Sequence, residues 1–547
     1  MQINKARPRL IILMSLFLAG YSIIIINLYC IQIKNHSYYA HLGEQQYQQT
    51  IVTTPPRAPI FDRNGNYLAL NKESFSAFIV PKQCRNLEIV SNFISQHFPD
   101  SMERLNKHKS SNFFFIKRKL SDREIKNIKT SGIEDIKLLK EPNRYYPCPA
   151  AGLIVGLTNV DNKGILGLEL QYDCYLSGQP TMCFLERDAR MGHFHFKKET
   201  LQGGQKGNPL TLTIDQSLQF LVSEELKEAV NRFQAKEGAA IVMNPKNGEI
   251  LSMVCMPDFD PNKTENLAID QTKNRIISER YELGSVIKIF AALAATEEGS
   301  VTNDELIDCQ NKRTAYVDGR KINTVSAHGK IPFAEVIARS NNIGTATVVK
   351  RIEEKLYDHY VRLGFTKKTN LPLPGEQVGF VNPPSKWSKQ SVISLSYGYE
   401  IAITLIELAR AFSIIAHNGH WVEPQLIKKP TPEKSNLELQ QLYSQTSIDS
   451  IKNILEQTTT YGTARRAAIK GYRIMSKTGT ANTLENGAYV PNKNVFTCAG
   501  IVEKGDYQRV IVAFIKEADP KFRFAARVAA PLFERIAEKT VINDKIV

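Results

Sequence analysis

Apolar positions fall into three kinds of pattern along this chain of 547 residues. Residues 10–33 form an almost unbroken apolar run, long enough to cross a bilayer as a helix, with Lys5, Arg7 and Arg9 ahead of it. The basic flank predicts a cytoplasmic segment, 1–9, followed by a transmembrane anchor, 10–33, and an exported remainder. A cleaved signal peptide is the alternative, but the run exceeds a usual signal core and ends without a small-x-small cleavage site. The second pattern has helical spacing: Leu218, Leu221, Val222, Leu226, Ala229, Val230 and Phe233 predict a helix over 217–233. The third is short and strand-like. Residues 238–243 and 249–254 read as a hairpin, 473–480, 497–502 and 510–515 as strands, and 526–539 as a closing helix. Residues 281–415 between them are mostly helical. Strands at both ends of a helical stretch imply an α+β domain whose antiparallel sheet is assembled from both domain termini and covered by helices.

Ahead of that domain the pattern is broken by turns. A short helix over 35–49 precedes Pro55 to Leu70, where Asn64-Gly65 predicts a type I′ hairpin turn and Arg57, Asp62 and Arg63 offer charges for an ion-paired knot. Residues 71–140 alternate apolar runs with lysine-rich helical stretches and carry no chemical motif. A second turn-rich block covers 144–178, and Arg187-Asp188-Ala189-Arg190 is a dense run of charge. Residues 201–209 are the best linker, which places one module over 34–205 and another over 206–547.

Composition narrows the function classes. The chain is 42% hydrophobic, enough for more than one core, with a formal charge of +15. Export and the spread of lysines along the chain argue against a nucleic-acid partner. A basic surface suits anionic headgroups or wall polymers, although a solvated lysine-rich face with no partner explains it better. Of the eight cysteines, Cys30 lies in the apolar run. The remaining odd number cannot all pair within one chain. His193-x-His195 has no acidic or cysteine companions, so neither a metal nor any other cofactor is expected.

Chemistry is suggested by three short stretches. In Gly284-Ser285-Val286-Ile287-Lys288, Ser285 reads as the first residue of a buried alanine-rich helix, with Lys288 about one turn later on the same face. Hydroxyl and amine would then point at each other, and a desolvated lysine can act as the base for serine. Ser340 and Asn342 stand two residues apart in a turn between helices. Lys477-Thr478-Gly479-Thr480 reads as a strand with two hydroxyls and a glycine where another backbone could come close. Ser-x-x-Lys alone is a weak signal, but Ser-x-x-Lys, Ser-x-Asn and Lys-Thr-Gly in this order form the penicillin-binding set.

On these motifs the chain resembles class B penicillin-binding proteins. Residues 57–65 resemble the first box of their N-terminal pedestal, with Ala58 where that box has glycine. Residues 371–376, 384–388, 396–401 and 404–412 resemble the division-specific FtsI branch, and Leu283 replaces the proline usual before Gly-Ser. The resemblance implies a penicillin-binding transpeptidase fold on a pedestal with one membrane anchor, held in the inner membrane with the catalytic domain outside. It implies acyl transfer from D-Ala-D-Ala stem peptides through Ser285 with Lys288 as base. Ser340 and Asn342 would relay the proton and hold the peptide, while Lys477, Thr478 and Thr480 receive the carboxylate beside Gly479. The amides of Ser285 and Thr480 would form the oxyanion hole. β-Lactams would be trapped, and a glycan polymerase of the FtsW type and other division proteins would be partners. An elongation-specific enzyme, or a hydrolysing, sensing or carboxypeptidase relative, is the alternative.

Overall fold

The computed structural model describes residues 3–53, 55–187, 194–429, 440–485 and 488–546. Asp188, Ala189, Arg190 and His193, on which the charged run and the histidine pair depend, lie outside them. The chain divides into two compact units, residues 1–57 with 177–207 and residues 58–176 with 208–547. The stretch expected as one pedestal, 34–205, therefore contributes to both.

In the first unit a helix over Ile3–Tyr29 runs through a π-turn, Cys30–Lys34, into a second helix, His36–Tyr47. Pro8–Lys34 is long and apolar enough to cross a membrane. Strand Thr181–Arg187 then pairs antiparallel with both Gln48–Thr53 and Phe194–Gln202.

The second unit begins with strands Ile60–Phe61 and Tyr67–Ile79, joined by a turn that is not type I′. Type I′ needs positive φ at both central residues, and between 62 and 66 only Gly65, at +87°, has it. Gly65 N donates to Asp62 O at 3.2 Å, a type I turn closed by a left-handed glycine. Asp62 dictates this shape. Its fully buried carboxylate accepts from the amides of Asn64 and Asn66, both at 2.8 Å, from Asn66 Nδ2 at 3.0 Å and from Gln216 N at 3.2 Å. Amides occupy the acid in place of the expected arginines. Arg63 pairs instead with Glu249 at 3.2 Å, Asn64 Nδ2 donates to Asp215 at 3.0 Å, and Lys428 Nζ donates to Arg63 O at 3.0 Å. The turn is a clasp on the transpeptidase-side module. Ala58 is buried without a positive φ, so its Cβ fits where the resembled box has glycine.

Within residues 208–547 we label β1 Glu237–Met243, β2 Ile250–Met256, β3 Arg473–Glu485, β4 Ala488–Lys504 and β5 Tyr507–Lys516. They form one antiparallel sheet in the order β2-β1-β5-β4-β3, with both domain termini contributing, as the strand pattern predicts. The helices used below are α1 Gln216–Phe233, α2 Lys288–Glu297, α3 Phe333–Ala338, α4 Asn342–Val349, α5 Leu405–Ala416, α6 Gln445–Thr460 and α7 Ala529–Asn543. Alternation along β1, β4 and β5 sends Ile241, Ala499 and Val512 into a core shared with α2 and α5, and Val242, Cys498 and Ala513 into one shared with α1 and α7. Burial on both faces fixes the register of the sheet, since a slip by one residue would exchange the two cores. Strand β3 is left at an edge.

Candidate active site

The apolar run 289–295 is fully buried in α2, but the helix begins at Lys288 rather than at Ser285. Ser285 sits ahead of it in a 3₁₀ turn, Gly284–Val286. Three glycines make the turn possible. Gly284 has φ +56°, and a Cβ there would lie 2.5 Å from Thr480 O. A Cβ on Gly479 would overlap Leu283 O and lie 2.8 Å from Val286 N, and one on Gly398 would overlap Gly284 O. Three backbones thus meet at the serine, and Gly479 serves the close approach that the sequence suggested.

The amines do not meet Ser285 directly. Lys288, fully buried, donates to Ser340 O at 2.7 Å and to Ser340 Oγ at 3.0 Å. Lys477, also fully buried, donates to the same Oγ at 3.2 Å and to Thr478 O at 3.0 Å. The expected Ser285–Lys288 pairing is absent among the described residues, because the tight turn replaces the α-helical geometry on which the i, i+3 argument depends. Ser340 is the meeting point, held at φ +59° in the turn between α3 and α4. Burial, followed by the charge of Lys477, holds the Lys288 amine well below its ordinary range. Burial alone brings Lys477 down to about 7.

Asn342 opens α4, and its Nδ2 donates to Asn323 O at 2.6 Å while its amide reaches Thr324 Oγ1 at 3.4 Å. Its Oδ1 accepts nothing among the described residues. The preceding Asn341 escaped the sequence reading, although an asparagine ahead of an apolar helix is a capping signal. It is fully buried and accepts from Gly344 N at 3.0 Å, which fixes the Ser340 turn from behind.

Strand β3 offers an open edge. Ser476 N donates to Thr459 Oγ1 of α6 at 3.1 Å, so Ser476 faces away from β4, and alternation turns Thr478 and Thr480 the same way. Neither of those amides has a partner among the described residues. Thr478 Oγ1 donates to Thr463 Oγ1 at 3.1 Å. Thr480 Oγ1 accepts from Ala525 N at 3.0 Å, which leaves its own proton free. Lys477 points inward at Ser340, so a carboxylate lying along this edge would meet the threonines first.

A family model for the penicillin-binding protein transpeptidase domain matches residues 238–538, and one for the penicillin-binding protein dimerisation domain matches 52–212. The chain belongs to the penicillin-binding protein transpeptidase family. Among its relatives is stage V sporulation protein D of Bacillus subtilis, 29% identical over 90% of this chain and 79% of that protein. Peptidoglycan D,D-transpeptidase FtsI of Buchnera aphidicola is 28% identical over 98% of this chain and 95% of that protein. The crystal structure of penicillin-binding protein 3 from Mycobacterium tuberculosis in complex with aztreonam has the same fold. It shows 24% identity, a TM-score of 0.69 and coverage of 91% and 98%. This penicillin-binding protein is a serine-type peptidoglycan D,D-transpeptidase on the class B plan, with the α+β fold expected from its pattern.

Proposed function

We propose that this penicillin-binding protein crosslinks peptidoglycan stem peptides through an acyl-enzyme on Ser285. The observation that carries the reading is the Ser340 hydroxyl held between two buried amines beside the glycine-packed Ser285 turn. Ser285 Oγ attacks the penultimate carbonyl of a stem peptide ending in D-Ala-D-Ala, and a neutral Lys288 receives its proton. The tetrahedral oxyanion is taken by the amides of Ser285 and Thr480. Lys477 and Ser340 return a proton to the departing nitrogen, D-Ala leaves, and an ester remains on Ser285. An acceptor amine from a neighbouring strand attacks that ester, loses its proton to the same relay and restores the free serine. The donor peptide lies along the open edge of β3 as an added strand, with its carboxylate at Thr478 and Thr480 and its backbone at the Asn342 carboxamide. A β-lactam follows the first half of this route, and its opened ring stays on Ser285.

The role we infer is septal, supported by the FtsI relatives and by the resemblance over residues 384–412. The N-terminal apolar helix supports a single-pass inner-membrane protein with its N-terminus in the cytoplasm and its catalytic domain outside. Residues 34–205 would then face a membrane-embedded glycan polymerase of the FtsW type and other division proteins. Incubation of the detergent-solubilised full chain with a stem pentapeptide and an acceptor amine should give a crosslinked product and release D-Ala. Release of a free tetrapeptide acid alone would instead establish the hydrolytic alternative. Depletion in the cell should block septation, whereas rounded cells would point to elongation.

A further inference from the structure

The segment entering the Ser285 turn is fixed to a second segment, residues 396–403, at three successive points. Tyr281 and Ile403 exchange backbone hydrogen bonds at 2.9 and 3.0 Å, Glu400 N donates to Glu282 Oε1 at 3.1 Å, and Gly284 packs against Gly398. The middle contact is the unusual one, because it spends an acid on an amide. Glu400 itself has φ +59°, a costly conformation for a residue with a side chain. Its carboxylate holds it there by accepting from Asn382 Nδ2 at 2.7 Å. The other oxygen of Glu282 accepts from the Tyr489 hydroxyl at 2.9 Å. Tyr489 lies on the outer arm of the β3–β4 hairpin opposite Leu484, and its ring meets Tyr399 edge-on at 5.4 Å. One carboxylate therefore joins the serine turn, the strained Glu400 turn and the arm that continues the open edge of β3.

We propose that Glu282 is a positioning residue for acyl transfer, keeping Ser285 in register with a carbonyl bound on β3 by fastening both the Glu400 turn and the Tyr489 arm. The inference rests on the reading of Ser285 as the nucleophile. It predicts an effect on the acylation step rather than on first binding, because the carboxylate is occupied by the protein's own donors.

The test uses the full chain in detergent, a chromogenic or fluorescent penicillin, and stopped-flow separation of the initial dissociation constant from the acylation rate constant. Glu282→Ala should lower the rate constant at least tenfold with the dissociation constant within about threefold of the parent. Glu282→Gln retains an acceptor oxygen and should restore most of the rate. Tyr489→Phe keeps the ring but removes the hydroxyl, and should lower the rate by a smaller factor that vanishes when added to Glu282→Ala. Thermal unfolding of each variant separates positioning from general loosening. Unchanged rates in all three variants, independent multiplying effects, or a rate loss matched by a loss of folded protein would overturn the proposal while leaving Ser285 in place. A parent that forms no adduct on Ser285 would overturn the nucleophile reading and this inference together.

Discussion

Lys288 and Lys477 show what burial does to a single group. Each is fully enclosed, and among the described residues the only hydroxyl that either meets is that of Ser340, so the low-dielectric setting favours their neutral forms. Lys288→Arg keeps a cation that cannot deprotonate, and penicillin acylation should fall at least about 100-fold. A variant within tenfold of the parent would mean that another group is the base. Lys477 helps return the proton to the leaving nitrogen, so the acylation rate of the parent should fall as pH rises through about 7, where this lysine loses its proton. The same shift links to stability. Between about 7 and 10.5 the unfolded chain holds a proton on this lysine that the folded chain lacks, so stability from this group rises with pH across that window. Lys477→Met should flatten the rise in melting temperature between pH 7 and 9.5. Parallel curves for parent and variant would show that the lysine is protonated in both states. The identity of these residues was legible from motif order alone. Their partners were not, since Ser340 meets both amines across 52 and 137 residues of sequence.

Among the elements, the β3 edge and the Ser285 turn depend on each other. The sequence indicated a strand with a glycine for close approach, and the structure supplies the neighbour, the carbonyl of Leu283. Gly479→Ala should force β3 from the turn. We expect destabilisation of about 1–3 kcal/mol and a loss of acylation greater than tenfold, read by thermal unfolding and by penicillin labelling. Near-parental labelling would show that the turn tolerates the displacement. Two local shapes were misjudged for the same reason, that spacing alone cannot see a side chain reaching into the backbone or a glycine packing from elsewhere. Asn64-Gly65 takes a type I turn because Asp62 gathers the amides around it, and Ser285 lies in a 3₁₀ turn because Gly398 and Gly479 crowd it. Helix α1 and the hairpin of β1 and β2, whose patterns are local and periodic, fall within a few residues of their expected bounds.

For the whole molecule, the sheet built from both domain ends was legible because the longer strand patterns lie on either side of a middle whose own strands, between Leu306 and Ala402, are short. The division of residues 34–205 between two compact units was not, because nothing in a linear pattern records which segments pack together. Asp62 is a case in point. Its sequence suggested a charge in an ion-paired knot, whereas the structure shows a fully buried acid bonded to four N–H groups, which has no face for a partner such as the glycan polymerase. Asp62→Ala should cost about 2–4 kcal/mol in unfolding measurements, since buried donors lose their acceptor, while the surviving folded protein acylates at the parental rate. A parental melting temperature with failed septation would instead assign Asp62 a contact role.

We propose that Ser285 alone carries the acyl group, although Ser340 is the serine that both lysines touch. Peptide mapping by mass spectrometry after incubation of the full chain with a penicillin tests it most directly. A single stable adduct on Ser285, absent from Ser285→Ala and retained in slowly labelled Ser340→Ala, is the predicted result. An adduct on Ser340, or labelling that survives in Ser285→Ala, would contradict it.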